Sequence, residues 1–146
     1  MPAKILLVNG PNLNMLGSRQ PELYGKETLP QIEAKCKAVA KSLKLELDCF
    51  QSNHEGEIIT AIQQAAKKYQ GMIINAGAFS HTSVAILDAL LVIPFPIIEV
   101  HLSNIFQREE FRHGSYVSTA AKGVICGLGS NGYLLALEAL ADLVKK

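Results

Sequence analysis

Four apolar residues in a row, Ile5-Leu6-Leu7-Val8, empty into Asn9-Gly10-Pro11-Asn12-Leu13-Asn14, and Arg19 and Tyr24 follow before any helical periodicity begins. An unbroken apolar run hides both faces of a strand, the mark of a parallel sheet covered by helices on both sides. Runs of this kind recur along the chain, and between them the apolar residues return at helical spacing. The pattern predicts strands at 4–8, 45–51, 72–75, 97–100 and 123–128. Helices are expected at about 29–43, 55–69, 80–91 and 131–144. Thr28 is the plausible N-cap of the first, with Pro30 in its opening turn. In the second, Ile58, Ile62 and Ala65/Ala66 form one stripe.

Strands and helices in this order give an α/β fold, a flavodoxin-like doubly wound five-stranded parallel sheet, in a single domain over residues 1–146. Ligands of such sheets lie beyond the carboxyl ends of the strands. The polar segments 9–14, 52–54, 75–78 and 99–103 therefore share one rim. The loop after the first strand is long for a chain of 146 residues, and loops of that length are usually functional.

Composition narrows the partners. Net charge is +1, with no basic stripe, so nucleic acid is not expected. The longest apolar stretch, 85–100, is broken by Asp88, Pro94, Pro96 and Glu99 and cannot span a membrane. The first residues carry no secretory pattern. Cys36, Cys49 and Cys126 lack C-x-x-C spacing and read as small buried hydrophobes in a reducing compartment, so a soluble cytoplasmic protein is expected.

Gly127-Leu-Gly129-Ser-Asn-Gly132 has the G-x-G-x-x-G spacing of a dinucleotide loop. It falls at the last strand, with no second βαβ half and no acidic strand end to hold a ribose. Tight helix–strand packing is the better account, and no cofactor is expected. Gly10 to Gly17 leads to no Gly-Lys-Ser/Thr and makes no P-loop. His54, His81, His101 and His113 lack ligand spacing, so no metal is expected.

Glu99-Val100-His101 is the stronger signal. Residues two apart on a strand share a face, which sets a carboxylate beside an imidazole at a strand end. A carboxylate there fixes the tautomer and favours the protonated ring, as general acid work requires. The same spacing equally suits an ordinary ion pair. Tyr24 poses a separate problem: a tyrosine near its reference value of about 10 must fall by roughly 2–3 units to act as a base near neutrality, which is about 3–4 kcal/mol. One exposed Arg19 supplies less than that. A loop that closes and excludes water, with a second arginine, supplies it, and Arg108 and Arg112, spaced i,i+4, are the candidates. A solvated tyrosine among scattered arginines is the plainer reading. His81 is expected at the start of the helix opened by Ser80, where free N–H groups favour anions. Asp88 lies two turns on, about 10 Å along the axis. It is a surface carboxylate or part of a neighbouring subunit's pocket.

Taken together, the blocks resemble type II 3-dehydroquinate dehydratases, lyases of the shikimate pathway. The resemblance rests on residues 7–17 with Arg19 and Tyr24-Gly25, on Gln51-Ser-Asn-His54-Glu-Gly56, and on Ile74-Asn75-Ala76-Gly77-Ala78-Phe79-Ser80-His81-Thr82-Ser83. Glu99-Val100-His101-Leu102-Ser103-Asn104, Arg108-Glu-Glu-Phe-Arg112-His-Gly-Ser and residues 127–133 complete it. The resemblance implies trans elimination of water from 3-dehydroquinate through an enol or enolate, without metal or Schiff base. It implies Tyr24 as base, Arg19 favouring its phenolate, and His101 as acid, oriented by Glu99. Asn12 would stabilise the enolate. Asn75, His81 and Arg112 would hold ring hydroxyls, Leu102 and Ser103 the carboxylate, and Asp88 would act across a subunit boundary. It leaves Arg108 without a contact. The family packs trimers into a homododecamer, a tetramer of trimers. A Schiff-base dehydratase needs a barrel that this chain is too short to build. A flavin module or a signalling receiver on the same fold would need a Ser/Thr-Gly-rich loop or acidic strand ends where this chain has asparagines.

Overall fold

The computed structural model describes residues 2–145. Five parallel strands, β1 (Ala3–Asn9), β2 (Leu45–Gln51), β3 (Gly71–Asn75), β4 (Ile97–His101) and β5 (Gly123–Cys126), pair in the order β2-β1-β3-β4-β5. This is the flavodoxin-like order expected from the sequence. The helices are α1 (Pro21–Tyr24), α2 (Leu29–Ser42), α3 (Glu55–Ala65), α4 (Val84–Leu91) and α5 (Asn131–Val144).

The alternation along β1 builds the two halves of the core. Ile5 and Leu7 face α2 and α5, packing with Ile32, Cys36, Leu137 and Leu140, while Leu6 and Val8 face α3 and α4 with Ile58, Ile62, Ile86 and Leu90. All five residues of β3 and of β4 are buried, as strands covered on both faces must be. α2 starts as its sequence predicts: the Thr28 hydroxyl accepts the Gln31 N–H, and the Gln31 side chain accepts the Thr28 N–H, closing a capping box ahead of Pro30.

Several boundaries shift by one residue, and the larger departures from expectation each have a local reason. α3 ends at Ala65 rather than near 69, because the Lys68 and Tyr69 amides both turn back onto the Ala65 carbonyl. β5 ends at Cys126 because Gly127 takes a left-handed φ of 88°. The loop after β1 contains a 3₁₀ turn (Leu13–Met15) and the short helix α1, which carried no period long enough to read. The helix expected from Ser80 begins only at Val84. Ser83 caps it, its hydroxyl accepting the Ile86 N–H, and Gly77–His81 is a separate 3₁₀ turn. Cys36 is buried as expected, but Cys49 and Cys126 are only half-buried. Burial pushes the Cys36 and Cys49 thiols up to about 12 and about 11, far from reactive thiolates.

Candidate active site

The ends of β1 and β3 interlock. Asn9 and Asn75 stand in register, and the Gly10 N–H donates to the Asn75 carbonyl at 2.8 Å. A Cβ at Gly10 would sit 2.4 Å from the Ala76 carbonyl oxygen, so only glycine lets the two chains pass. Beyond it Asn12 adopts a left-handed conformation, φ 70°, and its N–H donates to the Asn53 side chain at 2.9 Å. The 52–54 segment thus braces the loop from behind; it does not line the cavity.

At the end of β4, Glu99 has no exposed surface and accepts three hydrogen bonds: from His101 Nε2 (2.5 Å), Ser115 Oγ (2.6 Å) and Ser118 Oγ (2.5 Å). Burial alone raises its carboxyl, but those three donors outweigh it and hold the group below the ordinary carboxylate range. Nδ1 is then the ring nitrogen of His101 left for a ligand. Neither serine was singled out by periodicity, since both lie in a loop, although Ser115 closes one of the blocks that carry the family resemblance. The Gly127 N–H donates to the His101 carbonyl (3.3 Å) and the Gly129 N–H to the Leu102 carbonyl (3.0 Å). A Cβ at Gly132 would press on Val100 and Ile125. The glycine motif therefore seats α5 on the sheet and clasps the exit of β4, as the packing reading expected.

Facing this rigid corner is the loop carrying Arg19 and Tyr24. Its backbone hydrogen bonds between Ser18 and Gly25 are all local, to Met15, Gln20 and Pro21. Gly17 (φ 95°) and Gly25 (φ 83°) bound it. The Arg19 guanidinium lies 5.2 Å from the centre of the Tyr24 ring. The second arginine is Arg108: its Nη1 donates to the Tyr24 hydroxyl at 2.9 Å and to Ser103 Oγ at 3.4 Å. Arg112 is not that partner. The helical i,i+4 spacing invoked for the pair does not exist, because 3₁₀ turns Ile105–Gln107 and Glu110–Arg112 break the segment, and Arg112 Nε binds Glu109 at 3.2 Å.

Asn12, Arg19, Tyr24, Asn75, His81, His101, Leu102, Ser103, Arg108 and Arg112 all line one cavity of about 60 Å³. His81 does not stand at a helix N-terminus, as the late start of α4 shows, so the dipole argument for it fails. A hydrogen bond from Nδ1 to the Gly114 carbonyl (2.8 Å) places it instead, and its ring stacks on His101 at 6.1 Å. Burial lowers its pKa against the opposing Gly114 bond, with His101 and Arg112 adding to the lowering. Asp88 is exposed on α4 and is not among the cavity residues; the helical spacing from His81 that was used to place it does not exist either.

Among the described residues, no group of three or more His, Cys, Asp or Glu side chains converges as a metal site would. A larger groove of about 510 Å³ runs between β2 and α3, but its lining holds no histidine or arginine, and its Asp48 is tied to the Tyr69 hydroxyl at 2.6 Å. The small polar cavity is the better candidate for chemistry, because it gathers His81, His101, Tyr24 and three arginines.

A sequence profile of the family "Dehydroquinase class II" matches residues 3–141. The chain is 54% identical to a 3-dehydroquinate dehydratase of Prochlorococcus marinus, over 93% of this chain and 92% of that protein. It is 52% identical to one of Rhizobium johnstonii, over 98% and 99%. The crystal structure of a type II dehydroquinase from Propionibacterium acnes superposes with a TM-score of 0.94 at 44% identity, covering 97% of this chain and 98% of that one. Profile, fold and likeness along nearly the whole length agree, and the chain belongs to the class II dehydroquinase family.

Proposed function

We propose that this chain dehydrates 3-dehydroquinate to 3-dehydroshikimate, and that it does so with side chains of the cavity just described. The observation that carries the reading is the opposition of two differently prepared groups across one cavity: the Tyr24 hydroxyl bound by Arg108, and His101 bound by Glu99. Tyr24 takes the C2 proton, breaking the C–H bond, and its electron pair passes into the enolate. Arg19 and Arg108 lie beside the phenol, where positive charge stabilises the phenolate. Asn12 at the loop tip assists the enolate oxygen through a water. The enolate then expels the C1 oxygen, which leaves as water with a proton from His101, and the conjugated double bond forms. Glu99 fixes the imidazole so that the free nitrogen faces the leaving group.

Asn75, His81 and Arg112 hold the ring hydroxyls, and Leu102 and Ser103 hold the carboxylate; their shared lining of the cavity supports these roles. Asp88 serves a neighbouring subunit. Along α4 and its C-cap, the exposed Val84, Leu91 and Val92 flank Asp88 on one stripe, which supports a second copy covering that face within a trimer, and trimers assembling into a homododecamer. A cytoplasmic enzyme of the shikimate pathway, or of quinate breakdown, is the setting. Among the described residues no helix is long and apolar enough to cross a membrane.

The test is absorbance: purified protein mixed with 3-dehydroquinate should generate the conjugated enone. Absence of that band at high enzyme concentration would sink the reading. Asp88→Ala should lose activity only in assembled enzyme, and a sedimentation profile of monomer alone would contradict the subunit role.

A further inference from the structure

Tyr133 is the largest of the fully buried side chains, and it belongs to α5, outside the rim. Its ring packs in the core half formed by Ile5, Leu7, Ile73 and Leu137. A phenylalanine would fill that space as well. The hydroxyl is what reaches the site, since it ends between the two rim asparagines. It donates to Asn9 Oδ1 at 2.6 Å and accepts from Asn75 Nδ2 at 2.9 Å. Burial pushes the phenol far above its ordinary value, so the group stays neutral and both bonds persist across the working pH range.

The consequence falls on Asn75. A carboxamide offers two N–H donors and one oxygen. The oxygen of Asn75 already accepts the Gly77 N–H at 3.2 Å, and one N–H goes to Tyr133. One N–H is left, on a side chain that lines the cavity. The arrangement is not tuned for stability, because Asn9 Nδ2 is buried without a partner. A network that leaves one amide nitrogen unsatisfied while settling every other atom of its neighbour points to a role for that neighbour.

We propose that Tyr133 is a positioning residue for substrate binding: through Asn75 it fixes the amide so that a donor, not an acceptor, faces the cavity. That corner then selects a ligand oxygen with a free lone pair at the matching point on the ring and rejects a ligand that presents only a donor there. The proposal rests on the reading of Asn75 as a contact to a ring hydroxyl. Such a contact is made equally before and during the chemical step, so its loss raises KM and leaves kcat nearly unchanged.

The experiment compares Tyr133→Phe, Asn75→Ala and the double variant in the assembled enzyme, with 3-dehydroquinate as substrate and urea midpoints measured alongside. Tyr133→Phe should raise KM about five- to tenfold, the loss of one oriented hydrogen bond, with kcat within about twofold. Asn75→Ala should raise KM at least as much, and adding Tyr133→Phe to it should change KM no further, since no amide remains to be oriented. Asn9→Leu removes the acceptor that aims the Tyr133 hydroxyl; it should raise KM likewise and serves if Tyr133→Phe fails to fold. A shifted urea midpoint with unchanged KM in Tyr133→Phe, while Asn75→Ala raises KM, overturns the positioning role and leaves a structural one. Independent, multiplying effects in the double variant overturn it as well. An unchanged KM in Asn75→Ala overturns the substrate contact itself, and the proposal with it.

Discussion

Glu99 and Tyr24, proposed to serve opposite ends of one reaction, are held by opposite means. Glu99 has no exposed surface, sits on a strand buried on both faces, and is saturated by three donors from the chain itself. Tyr24 ends a four-residue helix whose other members are exposed, in a loop whose backbone bonds reach no farther than Pro21, Gln20 and Met15. Its anchor is the Arg108 guanidinium, with Arg19 over the ring. A group that must stay in one protonation state and orientation through the cycle belongs in the core. A group whose environment must be dry only while the substrate is bound belongs on a part that moves. The expected lid, residues 17–25, fits the second description.

Several substitutions sharpen or break that contrast. The largest effect is expected at the two reacting groups: His101→Ala and Tyr24→Phe should each cut kcat by about 10²–10⁴-fold, the usual worth of a general acid or base. Turnover near wild type in either removes its assigned role. Next comes stability, where the two ends should part. Glu99→Ala leaves His101, Ser115 and Ser118 without their common acceptor and should cost about 3–5 kcal/mol in urea unfolding. Tyr24→Phe should change the unfolding midpoint within error, and a comparable loss there would erase the distinction. The pH dependence follows with a definite sign. The folded Glu99 carboxyl lies below its free value of 4.5. Its stabilisation is therefore present above that pH and lost as pH falls through the folded value. Glu99→Gln should flatten the acid limb of a Tm-against-pH profile, and an unchanged limb would place acid sensitivity elsewhere. A smaller effect is expected for Arg19→Ala and Arg108→Ala: about tenfold in kcat, more than in KM, in keeping with stabilisation of the phenolate and transition state. An effect confined to KM would make both arginines substrate clamps. Smallest in energy is the lid itself. Protease should nick residues 18–26 in the free enzyme and less when product is bound; cleavage at equal rates with and without product speaks against closure.

Much of this was legible in the residues. Runs such as Ile5-Leu6-Leu7-Val8 can be buried only one way, so the sheet and its polar rim follow directly. Glu99 and His101 needed only the two-residue period of a strand. What escaped is what side chains do across distance. Arg108 and Arg112 could not be told apart, because the choice depends on two 3₁₀ turns with no periodic signature. Ser115 and Ser118 reach Glu99 from a loop, and Tyr133 reaches Asn75 from 58 residues away. His81 misses the helix end expected of it because the backbone caps α4 at Ser83 and not at Ser80, and nothing in the order of residues marks that choice.

The cavity of about 60 Å³ carries a consequence for the fate of oxygen. Tyr24 and Arg19 line the same cavity as His101, so the eliminated water is released beside the product and the loop that carries the base. Where opening is slower than chemistry, that water stays beside the new double bond and the reverse addition returns the same atom. The C1 oxygen of unreacted substrate, as distinct from the ketone oxygen that exchanges with water unaided, should then take up ¹⁸O from labelled water more slowly than product forms. A variant that loosens the loop, such as Gly25→Ala at φ 83°, should bring label uptake closer to the rate of product formation.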